Sequence, residues 1–366
     1  MTARVALLGY GLAGRVFHGP LIDFEPGLDL AAIVTADPER RAQASADHPH
    51  AEVLTSADEV WARSDEFDLV VVATANAAHV PQATAALEHG LHVVVDKPLA
   101  ATAAEAQALV DLAEGAHRQL HVFQNRRWDS EIRTARQAID DGVIGNPHRF
   151  ESRFERWRPV PKGGWREVGA PEDIPGLLYD LGAHLVDQAL HLMGPVERVV
   201  ASRRILRDGV TGDDDTQILL WHTGGAVSLL SVSAVAAFIE PRIRLLGTLG
   251  GLELIGLDTQ EDALREGRSL SDARWGYEPP THAVRLVTAH DSTPQDYARL
   301  PGAYPEYYAG VARAIHEGVA APVDARDVVQ NLRVIEAAAL SSAEGIEVHL
   351  NPPAGHDLGH SGASPS

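Results

Sequence analysis

One short helical stretch carries side chains suited to acid–base chemistry. The segment YDLGAHLVDQALHL, residues 179–192, is predicted to be a helix that is apolar around most of its circumference. Asp180, His184, Asp187 and His191 fall within roughly 60° of one another at about 100° per residue, so they form one polar stripe. Such a stripe is typical of a metal site, of an acid–base pair, or of polar groups that are hydrogen-bonded inside a core.

Axial distance favours the acid–base interpretation. Asp180 and His191 are eleven positions apart, about 16 Å along a helix, so one ion cannot bind both. A subset could chelate, but the chain has 0 Cys and no further obvious ligand, and we expect no metal site. Asp180 and His184 lie one turn apart and can face each other. We expect Asp187 and His191 to support the catalytic pair or to pack in the core, and not to be catalytic. A purely structural role for both histidines, His184 and His191, remains an alternative.

A lysine follows an apolar strand in VVVDKPLA, residues 93–100. Pro98 fixes the backbone after Lys97, in the trans or the cis form, and so aims the lysine side chain. The alternative is a surface lysine beside a loop proline. The segment ATANAAH, residues 73–79, follows the preceding strand in the same way, and the carboxyl ends of parallel strands form the edge where ligands bind.

The segment GYGLAG places Gly9, Gly11 and Gly14 in a G-x-G-x-x-G pattern between the first strand and the first helix. Glycines in this context allow a tight turn, close approach of backbone to a pyrophosphate, and close packing of helix on strand, and the helix N-terminus favours phosphate. We therefore predict a dinucleotide site, with Tyr10, Leu12 and Ala13 also in contact with the cofactor.

The second strand ends at VTADPERR, where the adenosine ribose is expected. Thr35 and Ala36 are small enough to leave room for a 2′-phosphate, and Arg40 can bind it bidentately. Asp37 would repel that phosphate, and residues 38–41 are also compatible with an ordinary charged helix start. The pattern favours NADP over NAD.

The first third of the chain alternates strands and helices. Apolar runs at 4–8, 28–35, 68–74, 91–96 and 120–123 are separated by helical stretches that include 77–89 and 102–117. This alternation predicts a doubly wound parallel sheet.

Beyond about residue 124 the pattern changes. A helix at 129–141, strands joined by glycine turns, and a long helix at about 325–343 predict a second α/β domain with a mostly antiparallel sheet. We predict domains at 1–124 and 125–350, and a disordered Pro-, Gly- and Ser-rich tail at 351–366.

Composition narrows the class of protein. The 366 residues carry a formal charge of −20, which disfavours nucleic acid or an anionic membrane as partner. The absence of Cys excludes disulfides and thiolate catalysis. Without an evident signal peptide or a long apolar run, we expect a cytoplasmic protein that acts on a small molecule.

Read together, the motifs resemble the Gfo/Idh/MocA family of oxidoreductases. GYGLAGRVFHGPLI, VVVDKPLA, QNRRWDS and YDLGAHLVDQALHLMG occur in that family's order, and the likeness extends to PGAYPEYYAGVARAI and VIEAAALSSAEG. NRRWD and YDLGxH resemble most the NADP-dependent scyllo-inositol dehydrogenase branch. The resemblance implies an N-terminal Rossmann domain followed by an α/β domain with a large, mostly antiparallel sheet, and assembly as a homodimer or homotetramer.

The resemblance also implies roles for particular residues. The family's Glu-Lys-Pro motif falls on Asp96, Lys97 and Pro98, with aspartate in place of the glutamate that helps to hold the nicotinamide ribose. Its Asp-x-x-x-His pair falls on Asp180 and His184. Cofactor contacts are further expected from the strand-end and loop residues Thr74, Asn76, His79, Trp165 and Arg166.

These inferences combine into one mechanistic hypothesis. His184, titrating near neutrality, accepts the proton of a substrate hydroxyl while hydride passes to the nicotinamide. Lys97 polarises the reacting oxygen and shares in proton transfer, and Asp180 positions substrate or histidine. The expected substrate is a sugar or cyclitol. Alternatives are a glycoside-cleaving enzyme with tightly bound NAD in a transient redox cycle, and a non-catalytic sensor.

Overall fold

A computed structural model describes residues 2–169, 175–238 and 240–351, apart from the side chains of Trp165 and Arg166. Residues 352–366, most of the predicted tail, lie outside the described part of the chain. The two predicted sheets are both present, and each organises one half of the molecule.

The first sheet has six parallel strands in the order β3-β2-β1-β4-β5-β6. Its strands are β1 Ala3–Leu8, β2 Leu28–Val34, β3 Glu52–Leu54, β4 Leu69–Val72, β5 His92–Val95 and β6 Leu120–Val122. Its helices are α1 Gly19–Phe24, α2 Pro38–Asp47, α3 Asp58–Trp61, α4 His79–Glu88 and α5 Ala103–Gly115. β1 and β4 are covered on both faces, which explains their continuous apolar runs. The strand order is that of a Rossmann sheet, as predicted.

The second sheet has nine strands in the order β14-β13-β12-β11-β7-β10-β9-β8-β15. β7 and β10 pair in parallel, and the other neighbours are antiparallel. The strands are β7 Pro147–Glu155, β8 Val196–Arg204, β9 Asp215–His222, β10 Val227–Ser233, β11 Ile243–Gly247, β12 Gly250–Leu254, β13 Val284–Thr288, β14 Asp291–Asp296 and β15 Val348–His349. The helices are α6 Ser130–Asp140, α7 Trp165–Val168, α8 Ala183–Met193, α9 Gln260–Arg265, α10 Pro305–Glu317 and α11 Ala325–Glu344.

Short 3₁₀-helical and π-helical turns lie next to several of these helices and strands. Single 3₁₀ turns occupy Ser64–Glu66, Asn76–Ala78 and Asn125–Trp128, and wide π-helical turns occupy Gly14–His18 and Leu178–Gly182. The predicted helix at 179–192 therefore begins as a π turn and becomes α-helical at Ala183. Wide turns of this kind are frequent at functional sites.

Helix α11 connects the two halves of the molecule. It packs against β8 and α8 of the second domain and against α5 of the first. Asn331 donates to the carbonyl oxygen of Ala183 at 2.8 Å, and Glu336 accepts the N–H of Ala103 at 2.7 Å. These contacts hold the start of α8 in a defined position relative to the parallel sheet. No helix in the described ranges has the length and apolarity needed to span a membrane.

Candidate active site

The glycine turn after β1 is held against the neighbouring strand end. Gly9 has a φ of +97°, and a Cβ there would lie 2.5 Å from the carbonyl oxygen of Ala73. A Cβ on Gly14 would overlap the carbonyl oxygen of Gly9. Both positions therefore require glycine, because a side chain would push the turn away from the sheet or the helix away from the turn.

A cavity of about 800 Å³, here the glycine-turn cavity, opens at the carboxyl edge of the parallel sheet. Predicted residues in its lining are Gly9, Tyr10, Gly11, Leu12, Ala13, Thr35, Arg40, Thr74, Asn76, Asp96 and Lys97. Gly11 presents open space: within 4 Å of a Cβ built there, the structure places only Arg40 Nη1, at 3.8 Å. The turn is thus a cradle with a guanidinium at its side, which suits the phosphates of a dinucleotide.

The carboxylate of Asp37 is engaged at the start of α2. Its Oδ1 accepts the N–H groups of Arg40 at 3.0 Å and Glu39 at 2.9 Å. These bonds, the Arg40 bond foremost, lower the pKa of Asp37, and the charges of Arg40 and Arg41 act in the same direction. Asp37 is not part of the cavity lining, whereas Arg40 is. The capping role explains an aspartate at this position without a ribose contact.

Further lining residues were missed by the sequence reasoning. Thr55, Ser56 and Ala57 follow β3 and face the same cavity, as does Gln82, whose Oε1 accepts the Thr74 hydroxyl at 2.8 Å. The strand β3 has only three residues, so it left no apolar run to identify in the sequence.

His79 lies behind the cavity and does not line it. Its ring is buried; Nδ1 is 2.7 Å from the carbonyl oxygen of Pro98 and Nε2 is 3.2 Å from that of Thr74. His79 therefore links the turns that follow β4 and β5 and positions their backbone, while Thr74 and Asn76 face the cavity.

Lys97 lies between the two domains. Its Nζ donates to the backbone oxygen of Asp180 at 2.9 Å and to Oδ1 at 3.0 Å, and the Lys97–Pro98 peptide bond is cis. Asp96 accepts the Lys97 N–H at 2.8 Å through Oδ1. The π turn that precedes α8 brings the Asp180 side chain and backbone oxygen to the same ammonium group.

His184 is buried on the first turn of α8, with 5% of its surface exposed. Within the described residues, its Nδ1 is buried and has no hydrogen-bond partner. Burial, and then the positive charges of Lys97, Arg126 and Arg242, hold its pKa well below 6.5. The expectation that His184 titrates near neutrality is therefore wrong, because burial in the folded site and then the nearby cations disfavour the charged imidazolium. The imidazole is neutral at pH 7.

A second cavity of about 960 Å³, here the His184 cavity, lies on the far side of Lys97. The two cavities share Leu12, Ala13, Asp96, Lys97, Gly176 and Asp180. The Lys97–Asp180 pair thus stands at their junction, with His184 in the wall of the second. A ligand in one cavity can meet a ligand in the other at this ammonium group.

Asp187 and His191 have other surroundings. Asp187 accepts two hydrogen bonds from the buried Arg127, at 2.9 and 2.7 Å, which is a bidentate ion pair. His191 lies among Arg127 and Arg136, and burial followed by their charges lowers its pKa to about 3. In the described part of the chain, no three His, Asp or Glu side chains are grouped as metal ligands would be.

Trp165 and Arg166 open α7, in the loop region between β7 and α8. Their side chains lie outside the described part of the structure. Neighbouring Gly163, Gly164 and Glu167 line the His184 cavity.

A Rossmann sheet with a glycine cradle, joined to a second domain through a lysine–aspartate–histidine site, defines a dinucleotide-dependent oxidoreductase. Residues 3–124 match the model of an oxidoreductase family NAD-binding Rossmann fold, and residues 136–350 match that family's C-terminal alpha/beta domain. The chain belongs to the Gfo/Idh/MocA oxidoreductase family.

Relatives cover almost the whole chain. The uncharacterized oxidoreductase YdgJ of Escherichia coli is 37% identical over 91% of this chain and 94% of that protein. The scyllo-inositol 2-dehydrogenase (NADP(+)) IolW of Bacillus subtilis is 34% identical, over 94% of each. The solved structure of the putative oxidoreductase yvaA from Bacillus subtilis superposes with a TM-score of 0.89 at 33% identity, covering 96% of this chain and 98% of that one.

Proposed function

We propose that this enzyme transfers hydride between NADP and a hydroxyl-bearing carbon of a sugar or cyclitol, a compound similar to scyllo-inositol. One observation carries the proposal: the two cavities meet at Lys97 and Asp180, with the neutral imidazole of His184 in the wall of the second. A dinucleotide in the glycine-turn cavity and a polyol in the His184 cavity would therefore have their reactive ends beside the same three side chains.

The preference for NADP rests on the ribose end of the glycine-turn cavity. Thr35 and Ala36 are small, Arg40 lies beside the open face of Gly11, and the Asp37 carboxylate is occupied by the start of α2. A guanidinium with no acidic side chain beside it in the lining suits a 2′-phosphate better than a 2′-hydroxyl. The name of the relative IolW, which specifies NADP(+), agrees.

Each of the three side chains has a distinct task. His184 is neutral at pH 7 and can accept the proton of the reacting hydroxyl. The Lys97 ammonium stabilises negative charge on the same oxygen in a partly buried site, where water screens it little. Asp180 holds Lys97 through two oxygens and so fixes where that charge lies. A bound nicotinamide supplies the hydride acceptor; in the reverse direction His184 returns the proton.

The test is a panel of inositols and aldoses assayed with NADP and with NAD in parallel, following the ultraviolet absorbance of the reduced nicotinamide. The proposal predicts net reduction of NADP by at least one polyol. Hydrolysis of glycosides without net reduction would instead support the transient redox cycle, and tight sugar binding without reaction would support a sensor. Homodimeric or homotetrameric assembly remains a prediction from the sequence, which size-exclusion chromatography with light scattering would check.

A further inference from the structure

The positive side chains in the lining of the His184 cavity form two groups. Four are bound to carboxylates: Lys97 to Asp180 at 3.0 Å, Arg126 to Glu261 at 2.8 Å, Arg207 to Asp214 at 2.9 Å and Arg265 to Glu261 at 2.7 Å. The other three, Arg156, Arg158 and Lys162, have no hydrogen-bond or ion-pair partner for their side chains among the described residues.

Four of the seven carboxylates in the described lining of this cavity, including Asp180 and Glu261, are bound to other cations. Glu167 is bound to Arg207 at 3.0 Å and Asp213 to Arg203 at 2.8 Å. Glu155 accepts the hydroxyl of Ser231 at 2.6 Å. Asp262 is exposed at the rim, and Asp96 is at the junction with the glycine-turn cavity. Seven cations and seven carboxylates are in the described lining, so what distinguishes Arg156, Arg158 and Lys162 is that no described carboxylate is bound to their side chains.

Arg156 is the best placed of the three. It follows the last residue of β7, its N–H donates to the oxygen of Ser233 at 2.9 Å, and its side chain is half-buried. Arg158 is fixed in the same way by the oxygen of Ala234 at 2.7 Å. Burial first, and then the charge of Arg158, lower the pKa of Arg156, and the charges of Asp180 and Glu261 offset this only in part. An arginine whose charge is incompletely compensated on an ordered backbone is prepared for an external anion.

We propose that the substrate carries an oxyanion, a carboxylate or a phosphate, which Arg156 binds while the reacting hydroxyl lies against His184 and Lys97. Arg158 and Lys162 add positive charge at the mouth of the same cavity. The inference rests on the proposed oxidoreductase function and narrows its substrate class to sugars and cyclitols that carry a carboxylate or a phosphate. A planar guanidinium matches both kinds of oxyanion through two parallel hydrogen bonds.

The experiment compares matched neutral and acidic compounds with NADP: D-glucose against D-glucuronate, and myo-inositol against myo-inositol 1-phosphate. We expect the acidic member of at least one pair to have the higher kcat/KM. A preference for D-glucuronate would identify the oxyanion as a carboxylate, and a preference for myo-inositol 1-phosphate would identify it as a phosphate. Arg156→Met should raise KM for that acid about 10- to 100-fold with little effect on kcat, since a charge-assisted bidentate contact is lost. Arg156→Lys, which keeps the charge, should restore part of the loss.

Arg265→Met is the matched control, because it removes a positive charge from the same cavity that Glu261 already neutralises. It should change the acid-to-neutral ratio less than about threefold, the small effect typical of an exposed ion pair. Equal kcat/KM for neutral and acidic members, unchanged in Arg156→Met, would overturn the inference and leave the proposed function standing.

A binding measurement separates the inference from the function. If no compound reduces NADP, binding of inorganic phosphate to the NADP-saturated protein can be followed by phosphorus NMR. Binding that weakens about tenfold or more in Arg156→Met would support the oxyanion site while counting against the proposed reaction. Binding that is the same in both proteins would overturn the oxyanion site.

Discussion

The two cavities of this enzyme are lined by different types of residue. The glycine-turn cavity is lined mostly by glycine, alanine, threonine and backbone at successive strand ends. Nearly half of the residues in the described lining of the His184 cavity are charged, and they come from many separate segments. A dinucleotide is the same molecule in every enzyme that uses it, so turns and helix ends can bind it. A substrate has to be distinguished from its stereoisomers, which requires individually placed polar groups. Lys97 lines both cavities. Substitutions at Lys97, and then in each cavity, test whether the two cavities bind different ligands.

The largest effect is expected at the junction itself. Lys97→Met keeps most of the aliphatic stem and removes the ammonium group, so kcat should fall roughly 100- to 10,000-fold through loss of charge stabilisation and proton transfer. Steady-state turnover, together with cofactor binding by fluorescence quenching, checks this. Cofactor affinity should change far less than kcat. Turnover within about fivefold of the wild type would show that the junction is not the reaction centre.

The next largest effect is expected on stability and cofactor binding when the glycine turn is substituted. Gly9→Ala places a Cβ 2.5 Å from the Ala73 oxygen at a φ of +97°. We expect about 2–4 kcal/mol of lost unfolding free energy and weaker cofactor binding, measured by urea denaturation and titration.

Gly115→Ala provides the control for this substitution. Gly115 ends α5, and a Cβ there meets nothing within 4 Å. It should be neutral or stabilising by up to about 1 kcal/mol. Equal stability of the two variants would contradict the account of the turn.

A smaller effect is expected at the ribose end. Arg40→Ala should lower the NADP-to-NAD ratio of kcat/KM about 10- to 100-fold, because the guanidinium beside Gly11 is removed. Arg41→Ala is the control, since Arg41 is adjacent in sequence and absent from the lining. Comparable losses in both variants would point to general surface charge instead of a phosphate site.

The smallest effect is expected on kcat/KM when the pH is lowered slightly, since this tests the protonation of His184. The depressed pKa of His184 keeps its neutral form below the ordinary value of 6.5. The acid limb of the pH profile of kcat/KM therefore moves to lower pH, and protonation of His184 should cause no fall between about pH 7.5 and pH 6.5. A fall with an apparent pKa near 6.5 that vanishes in His184→Asn would show that burial and the three nearby cations do not depress this pKa.

The parts of the site that follow from sequence are those encoded locally. Gly9, Gly11 and Gly14 lie in one turn, and Lys97 follows a strand whose apolar run is easily identified. In a parallel sheet the strand ends share an edge, so the joint position of Thr74, Asn76 and Asp96 could be predicted as well.

The parts that escaped prediction depend on long-range contacts. The ring of His79 turns towards the Pro98 oxygen, although its position after β4 suggested a cofactor contact. The partner of Asp187 is Arg127, which belongs to a different segment. The pKa of His184 depends on Arg126 and Arg242, which no spacing rule relates to it. Burial and charge are properties of the assembled site, and composition does not encode them locally.

Lys97, Asp180 and His184 are the side chains that we propose perform the redox chemistry of a polyol. A single-turnover experiment with NADP-loaded protein and the best compound of the panel, comparing the wild type with His184→Asn, tests these roles. We expect stoichiometric reduced nicotinamide in the wild type, and at least about 100-fold slower formation in the variant, which should bind NADP normally. Equal single-turnover rates in the two proteins would contradict these roles.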